Sequence, residues 1–319
     1  MSNQRRRLRQ SAPIILCSAL LSVVPLFSAN SISSDAEKAN WTLVWSDEFE
    51  GQTIDPDKWQ FETNCWGGGN NEKQCYTDLP ENASVSDGVL TITALQKETT
   101  GFALPGQMRG EGNPEMATLP YSSARLITKD KAAWQYGRFE IRAKLPTGQG
   151  TWPAIWMLPS DEYYGAWAAS GEIDILEAVN LGTQCDTCEG GKENKILGTL
   201  HFGGTWPKNH HKGNATVLPT TEDGFNVFGV EWEEGEVRWY VDGKHYATLT
   251  PKDWSTTSEL AKERPAAPFD RPFYMILNLA IGGHLSEDLN EKGIDPTGYP
   301  KHLEVDWVRV YQQADGESQ

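Results

Sequence analysis

At residues 171–177 the chain reads Gly171-Glu172-Ile173-Asp174-Ile175-Leu176-Glu177, so three acids lie within an apolar run. Isoleucine-rich runs of this kind favour a β-strand, in which side chains two residues apart share a face. Glu172 and Asp174 therefore point the same way, whereas Glu177 would point to the opposite face of a regular strand. One extra residue, a β-bulge around Ile175 or Leu176, would return Glu177 to the face of the other two acids.

Three acids inside a strand suggest chemistry, because both desolvation and mutual repulsion oppose their placement there. Retaining glycosidases use two carboxyl groups about 5–5.5 Å apart, one as nucleophile and one as general acid/base. Glu172 and Glu177 fit these roles if the bulge is present. Asp174 between them would hydrogen-bond the nucleophile, and its charge would raise neighbouring pKa values and help to keep Glu177 protonated. A solvated acidic strand face and a calcium cluster stay open as alternatives from this pattern alone.

The rest of the chain alternates apolar and polar residues with a period of two. Residues 138–144 read Arg-Phe-Glu-Ile-Arg-Ala-Lys, and residues 90–94 and 237–241 follow the same rule. Asp-Gly pairs at 87–88 and 242–243 are typical of turns between antiparallel strands. Residues 251–265 are the best candidate for a helix. The pattern predicts a single all-β domain over residues 41–312, as a sandwich or jelly roll of antiparallel sheets.

The two ends of the chain differ from this domain in composition. Arginines at 5, 6, 7 and 9 precede an apolar run over residues 13–27, and Ala29 and Ser31 follow as small residues. This order predicts a secretory signal peptide over residues 1–31 and a secreted protein, extracellular or periplasmic, with an uncleaved membrane anchor as the alternative. Residues 32–40 are predicted to form a short linker, and residues 313–319 a disordered tail.

The charge balance limits the class of partner. The chain has 44 acidic and 28 basic residues, a formal net charge of −16. Such a surface repels nucleic acid, anionic membranes and strongly anionic substrates, and we expect neither nucleic-acid binding nor membrane association after signal cleavage. A neutral polymer suits this charge, and solubility alone would also explain it. We expect a monomer.

Four of the five cysteines lie beyond the predicted signal peptide, at positions 65, 75, 185 and 188. An even number in an exported protein indicates disulfides, and three connectivities are possible. Each pair lies within one local segment, which favours Cys65–Cys75 and Cys185–Cys188. The Cys185-x-x-Cys188 spacing is also half of a zinc site, but the chain has no second CxxC to complete one.

The acidic strand resembles the active-site strand of glycoside hydrolase family 16, in the bulged form found in its laminarinase-like members. Further stretches resemble the family in the same order along the chain. They are Leu-Val-Trp-Ser-Asp-Glu-Phe at 43–49, Gly-Asn-Asn-Glu at 69–72, Tyr-Ser-Ser-Ala-Arg-Leu at 121–126, Gly-Thr-Trp-Pro-Ala-Ile-Trp-Met at 150–157, Thr-Leu-His-Phe-Gly-Gly at 199–204, Leu-Asn-Leu-Ala-Ile-Gly-Gly at 277–283 and Val-Asp-Trp-Val-Arg-Val-Tyr at 305–311.

This resemblance implies a concanavalin-A-like β-jelly roll, two antiparallel sheets with a substrate cleft on the concave one. It implies that Glu172 is the nucleophile, Asp174 the assisting acid and Glu177 the general acid/base. It also implies a set of substrate-binding residues, namely Asn70, Asn71, Arg125, Trp152, Trp156, His201 and Trp206. Indole rings suit the C–H faces of sugars, although core packing is an alternative for the tryptophans, a structural strand role for His201 and a turn role for one asparagine.

The resemblance implies an endo-β-1,3-glucanase acting on laminarin-like or mixed-linkage β-glucan. An agarase-like hydrolase of algal galactans and a non-catalytic β-glucan-binding protein are the alternatives. The resemblance further implies one structural Ca²⁺ on the convex side, held by oxygens of Glu48, Gly88 and Asp306, the kind of donor that this ion prefers. Asp306 alternatively caps a solvent-facing surface.

Overall fold

The computed structural model describes residues 41–112 and 114–313. The predicted signal peptide (1–31), the linker (32–40) and all but the first residue of the predicted tail (313–319) lie outside the described residues. Strands are the main regular structure of the described chain, and its α-helix, α1, is four residues long (His284–Glu287). The strands are, in chain order, β1 (Trp41–Asp47), β2 (Gln60–Phe61), β3 (Gln74–Tyr76), β4 (Ala83–Ser86), β5 (Val89–Ala94), β6 (Thr99–Phe102), β7 (Met116–Leu119), β8 (Tyr121–Ser123), β9 (Arg125–Ile127), β10 (Gly137–Lys144), β11 (Thr151–Pro159), β12 (Glu172–Glu177), β13 (Lys195–Gly203), β14 (Asn209–Val217), β15 (Asn226–Glu233), β16 (Glu236–Val241), β17 (Lys244–Leu249), β18 (Phe273–Ile281) and β19 (Lys301–Gln313).

Two large antiparallel sheets form the body of the domain. The first has the order β17-β16-β15-β10-β19-β5-β4, with β1 also pairing with β19, and the second has the order β14-β13-β12-β11-β18-β9-β2. Short 3₁₀ turns occur at Gly67–Gly69, Gly106–Met108, Glu189–Gly191 and Glu259–Ala261. The helix candidate at 251–265 therefore contains one 3₁₀ turn and no α-helix. In the described ranges no helix is long and apolar enough to cross a membrane.

Strand alternation explains how the two sheets stack. Along β10 the residues from Gly137 to Ala143 alternate between buried and half-buried, and β5 and β16 behave alike. The buried face of each strand enters one large apolar core, to which the first sheet contributes Ile141 and Val308 and the second Ile173 and Leu277. Removing these faces from water is the main driving force for the stacking. The prediction of an all-β sandwich is confirmed.

Strand β18 departs from this alternation, because all nine of its residues are buried. Its inner face enters the core, the first part of its outer face packs against Ile127 and Trp156, and the segment around β3 covers the rest, where Asn278 Nδ2 donates to the hydroxyl of Tyr76. The amide of Lys73 donates to the carbonyl of Ile281, and the amide of Ile281 donates to Gln74 Oε1. This covering segment is the one that brings the loop at 66–72 over the outer face of the second sheet.

Candidate active site

The acidic strand β12 contains the predicted bulge. On the β11 side Asp174 pairs with Trp156 and Leu176 pairs with Ile155, so Ile175 has no partner of its own. On the β13 side the register also shifts by one residue between Asp174 and Glu177. The bulge leaves Ile175 and Leu176 both buried in the core. As a result all three acids line a single groove on the outer face of the second sheet.

Glu172 and Glu177 each accept a hydrogen bond from an indole. Trp167 Nε1 donates to Glu172 Oε2 at 2.7 Å, and Trp152 Nε1 donates to Glu177 Oε1 at 3.0 Å. These bonds fix the two carboxyl groups at opposite ends of the strand. Fixed donors of this kind hold a side chain in one orientation for reaction.

His201 lies beside Glu172 and Asp174. Its strand β13 pairs with β12 so that His201 is opposite Glu172. His201 Nε2 lies 3.2 Å from Asp174 Oδ2 and 3.7 Å from Glu172 Oε1, ion-pair contacts rather than well-aligned hydrogen bonds. Burial opposes a charge on His201, but the carboxylates of Glu172 and Asp174 outweigh burial and raise the pKa of His201 to about 10.

The pKa values of two acids are raised. Burial is the main cause for Asp174, whose pKa is well above its usual range, and the charges of Glu172 and Glu177 add to it. Burial likewise raises the pKa of Glu177; the cation on His201 opposes this rise and the charge of Glu172 adds to it. A carboxyl group whose pKa is raised in this way is held in the protonated form that a general acid needs.

A second group of side chains lines the groove on the side of β11, β18 and β9. The guanidinium of Arg125 lies 4.7 Å from the centre of the Trp156 ring, and its Nη1 lies 3.4 Å from Glu62 Oε1. Trp156 Nε1 donates to Asn278 Oδ1 at 2.6 Å. Arg125 is buried, and its ion pair with Glu62 and its cation–π contact with Trp156 stabilise its charge. The result is a rigid polar and aromatic wall suited to hydroxyl groups and sugar faces.

The loop at 66–72 closes the groove above that wall. Gly67, Gly68 and Gly69 all adopt left-handed conformations, and a Cβ on Gly67 would lie 2.8 Å from the backbone oxygen of Glu72. Glycine at position 67 therefore lets the loop fold tightly against the backbone of Glu72. Glu72 in turn accepts hydrogen bonds from Asn70 Nδ2 at 3.2 Å and Gln74 Nε2 at 2.7 Å.

Most of the predicted substrate-binding residues come together. Asn70, Arg125, Trp152 and Trp156 line the same groove as the three acids, and His201 contacts two of those acids. Asn71 is exposed, with a positive φ of 63°, as the turn alternative for one of the two asparagines anticipates.

Trp206 lies outside that lining. It is 70% exposed, and its backbone amide donates to the carbonyl of Trp167 at 3.0 Å. Trp206 is thus next to the tryptophan that hydrogen-bonds Glu172, at the edge of the groove.

Some residues of the site had not been predicted. Trp167 lies in a loop without periodicity, so no sequence pattern marks it. Asn278 could have been found, because it is the only side chain with a hydrogen-bonding amide in the apolar strand β18. Glu62 follows β2 directly. Its ion pair with Arg125 joins residues that are distant in sequence, so a local pattern does not predict it.

Both predicted disulfides are present. Cys65 pairs with Cys75, and Cys185 pairs with Cys188. The sulfurs of the second pair are bonded to each other, so they do not serve as thiolate ligands for zinc. The first disulfide closes the loop that carries Asn70 and Glu72 to the groove.

The residues predicted to bind calcium meet at one junction of the first sheet. Strand β19 pairs with β5 as far as Val305 and with β1 from Val308 onward, so Asp306 lies where the partner changes. Glu48 follows β1 and Gly88 precedes β5, next to this junction. The carboxylates have guanidinium partners: Glu48 Oε2 accepts from Arg309 at 2.8 Å, and Asp306 Oδ2 accepts from Arg142 at 2.5 Å. Carboxylate and backbone oxygens are the donors that calcium prefers, and an ion there would compete with the arginines for both carboxylates.

The chain is similar to known proteins over almost all of its described length. A family model described as "Beta-porphyranase A-D, GH16 domain" matches residues 41–313. The glucan endo-1,3-beta-glucosidase A1 of Niallia circulans is 40% identical over 291 residues, which are 88% of this chain and 39% of that protein. The beta-glucanase of Rhodothermus marinus is 41% identical over 299 residues, 92% of this chain and 93% of that protein.

The fold is similar to solved structures as well. The X-ray structure of the laminarinase from Rhodothermus marinus is 37% identical and matches with a TM-score of 0.67, covering 86% of this chain and 99% of that one. Together with the two stacked antiparallel sheets, this match confirms the predicted jelly roll. The family match and the pairwise identities agree with the bulged acidic strand, and the chain belongs to glycoside hydrolase family 16.

Proposed function

We propose that this chain is a retaining endo-glycosidase that hydrolyses β-1,3-glucosidic bonds in laminarin-like or mixed-linkage β-glucan by double displacement. The observation that carries the proposal is the bulge at Ile175, which brings Glu172, Asp174 and Glu177 into one groove. Glycoside hydrolysis uses a pair of carboxyl groups that flank the cleaved bond, and retention of configuration is general in the family to which the chain belongs. The relatives named as β-1,3-glucanases support the choice of polymer.

In the first step Glu172 attacks the anomeric carbon and the bond to the leaving sugar breaks. Trp167 and His201 contact the attacking carboxylate and hold it in position for attack. Glu177, protonated because burial raises its pKa, gives its proton to the leaving oxygen. Asp174, whose pKa burial and the charges of Glu172 and Glu177 raise, lies between them and contacts His201 Nε2 at 3.2 Å.

In the second step Glu177 acts as the base. It is ionised after the first step and takes a proton from a water molecule, whose oxygen attacks the anomeric carbon and releases Glu172. The indole of Trp152 stabilises this ionised form through its 3.0 Å hydrogen bond. Two inversions at the anomeric carbon retain the β-configuration.

The alternative polymers and a non-catalytic role have less support. The description of the matching family model names a porphyranase. The relatives that are 38–41% identical over 85–92% of the chain are instead named as β-glucanases or glucan endo-1,3-β-glucosidases. A binding protein would not need a nucleophile and an acid with matched indole donors. The acidic chain also favours a neutral glucan over an anionic galactan.

We also propose that the protein is secreted as a monomer after removal of residues 1–31, and that Glu48, Gly88 and Asp306 hold one structural Ca²⁺. Four early arginines followed by an apolar run support export. The junction of β1, β5 and β19 in the first sheet supports the calcium site. The three acids lie on the second sheet, so the ion would have no part in the chemistry.

A reducing-end assay tests the substrate. We expect turnover of laminarin and lichenan, and none of agarose or carboxymethyl-cellulose. Proton NMR of the fresh products should show the β-anomer first, because double displacement retains configuration. Turnover of agarose alone, or an α-anomer as first product, would contradict the proposal.

Two variants separate the roles of the glutamates. Glu172→Gln should lose about 10⁴-fold or more in kcat and still bind oligosaccharide, whereas Glu177→Gln should lose about 10²- to 10⁴-fold. With an activated aryl glycoside and added azide, Glu172→Ala should form the α-glycosyl azide and Glu177→Ala the β-glycosyl azide. Glu304→Gln on strand β19 of the other sheet is the matched control and should keep full activity. Exchange of the two azide products would reverse the assignment.

A further inference from the structure

A separate cavity of about 530 Å³ lies beyond Glu177 on the same sheet. Its floor includes Leu197, which is opposite Glu177 in the register of β12 and β13, and Ala215, which is opposite Leu197 in the register of β13 and β14. Leu197 is four residues before His201, so both side chains lie on the same face of β13. The cavity therefore opens on the face of the sheet that carries the groove.

The cavity and the wall around Arg125 lie on opposite sides of the acids. Arg125 is on β9 and Trp156 on β11, which precede β12 in the order of the sheet when it is read from β2. The cavity lies over β13 and β14, which follow β12. A polymer that crosses the strands over the three acids would reach the Arg125 wall on one side and the cavity on the other.

Two segments outside the sheet form the walls of the cavity, and hydrogen bonds join them. One wall is the disulfide-closed loop around Cys185, and the other is the segment from Leu285 to Glu291. The amide of Gln184 donates to Glu291 Oε1 at 3.2 Å, and Asn290 Nδ2 donates to Glu193 Oε2 at 3.0 Å. The disulfide and these bonds fix the positions of the two walls, which reduces the ordering that a bound sugar would require.

The lining combines an apolar floor with a polar rim. Apolar surface comes from Val179, Leu197, Leu285 and Leu289, and hydrogen-bonding groups come from Asp186, Thr187, Glu193, Lys195 and Glu291. Apolar surface suits the C–H face of a sugar, and carboxylate and hydroxyl oxygens suit its hydroxyl groups. Three carboxylates against one ammonium disfavour an anionic sugar. A volume of 530 Å³ lies within the range of small-ligand sites.

We propose that this cavity is a further sugar subsite, which binds a neutral hexose unit of the polymer on the leaving-group side of the cleaved bond. The proposal rests on the proposed function, because Glu177 is the acid that protonates the leaving oxygen. Its strand partner Leu197 is part of the cavity floor, so the leaving portion of the polymer is the portion directed toward the cavity. The Cys185–Cys188 loop forms one wall of the subsite, and the segment from Leu285 to Glu291 forms the other.

A pair of tryptophan variants on one strand tests the subsite. Ala215→Trp places an indole in the cavity, whereas Asn214→Trp places the same side chain on the other face of β14, and both positions are exposed. The rate constant kcat/KM is measured on laminarin and on laminari-oligosaccharides of increasing length. We expect Ala215→Trp to lose about tenfold on the longest substrates and nothing on the shortest one that is cleaved, with Asn214→Trp unchanged throughout.

A double serine variant tests the subsite independently, in case Ala215→Trp fails to fold. The activity of the unmodified protein separates a failure of the subsite from a failure of the proposed function. Cys185→Ser with Cys188→Ser opens one wall and should weaken only the long substrates, with unchanged turnover of the shortest. Equal activity of the two tryptophan variants on long substrates, or an equal loss on short and long substrates, overturns the subsite. Inactivity of the unmodified protein on every β-glucan overturns the proposed function instead. In that case the Ala215→Trp comparison is repeated with the polymer that is cleaved.

Discussion

His201 Nε2 lies 3.2 Å from Asp174 Oδ2 and 3.7 Å from Glu172 Oε1, so one imidazole contacts two of the three acids. Burial opposes its charge, yet the two carboxylates raise the pKa of His201 to about 10. His201 is therefore an imidazolium across the pH range in which a glycosidase of this kind works. Its charge offsets the repulsion among the acids, which explains how three carboxyl groups are tolerated on one strand face.

Replacing His201 should impair catalysis more than binding. His201→Gln keeps a polar group but removes the cation, and we expect kcat to fall about 10- to 100-fold with little change in KM, because Glu172 and Asp174 lose the contact that positions them. His211→Gln is the matched control, since its ring centre lies 5.6 Å from that of His201 and it is exposed. An equal loss in both variants would contradict a specific role for His201.

The same variant makes a prediction for stability against pH. The folded pKa of His201 is about 10 and its ordinary value is 6.5, so its stabilising contribution is complete below pH 6.5 and is lost between pH 6.5 and 10. Urea unfolding should show that the stability difference between the unmodified protein and His201→Gln shrinks over this interval. A difference that grows with pH would show that the imidazole is neutral in the folded protein.

On the basic side of the pH–rate profile, the fall in kcat should reflect the loss of the proton from Glu177. Burial raises its pKa, and its protonated form is the active one, so kcat falls as pH rises through that pKa. Trp152 donates to Glu177 Oε1 and lowers the pKa by stabilising the anion. Trp152→Phe should therefore move the basic limb to higher pH.

The control for that shift is a tryptophan with a different acceptor. Trp156 donates to Asn278 and not to an acid, so Trp156→Phe should leave the basic limb in place even if KM rises. A movement of the limb to lower pH in Trp152→Phe would mean that the indole favours the protonated acid instead.

The fold and the catalytic acids could be predicted because both depend on patterns between residues that are close in sequence. Alternation in β5, β10 and β16 determines which faces are buried, and the odd spacing between Glu172 and Glu177 requires an extra residue if both are to act together. The partners of the acids were less predictable. The bond from Trp167 to Glu172 depends on the path of a loop, and alternation carries no information about that path.

The Cys65–Cys75 disulfide should support both stability and binding. It joins residues ten apart around the loop that carries Asn70 and Glu72. Cys65→Ser with Cys75→Ser should lower the free energy of unfolding by about 2–3 kcal/mol, the usual effect of releasing a loop of this size, and should raise KM because the loop over the groove is no longer fixed. Urea unfolding and steady-state kinetics measure the two effects. Removing Cys185–Cys188, which joins residues three apart, should cost less stability.

Calcium should stabilise the fold without affecting the chemistry. If Glu48, Gly88 and Asp306 bind the ion, a concentration about one hundred times Kd raises the free energy of unfolding by about 2.7 kcal/mol, and a chelator reverses this. Differential scanning calorimetry measures the shift, and kcat at 25 °C should stay constant. The double variant Glu48→Gln, Asp306→Asn should lose the response, whereas Glu304→Gln should keep it. A chelator that changes neither variant nor the unmodified protein would refute the site.

Trp206 offers the clearest test of a sugar contact outside the groove lining. A tryptophan that is 70% exposed contributes little to the core, so Trp206→Ala should leave the melting temperature almost unchanged. Its amide is bonded to Trp167, whose indole holds Glu172, so the ring lies near the nucleophile's end of the strand. If the exposed face stacks on a sugar, Trp206→Ala should raise KM for laminarin about 5- to 10-fold, and Trp206→Phe should restore most of it because an aromatic face remains. An unchanged KM in Trp206→Ala would remove this residue from the binding surface, and a fall in kcat without a change in KM would show that it acts on Glu172 through Trp167 instead.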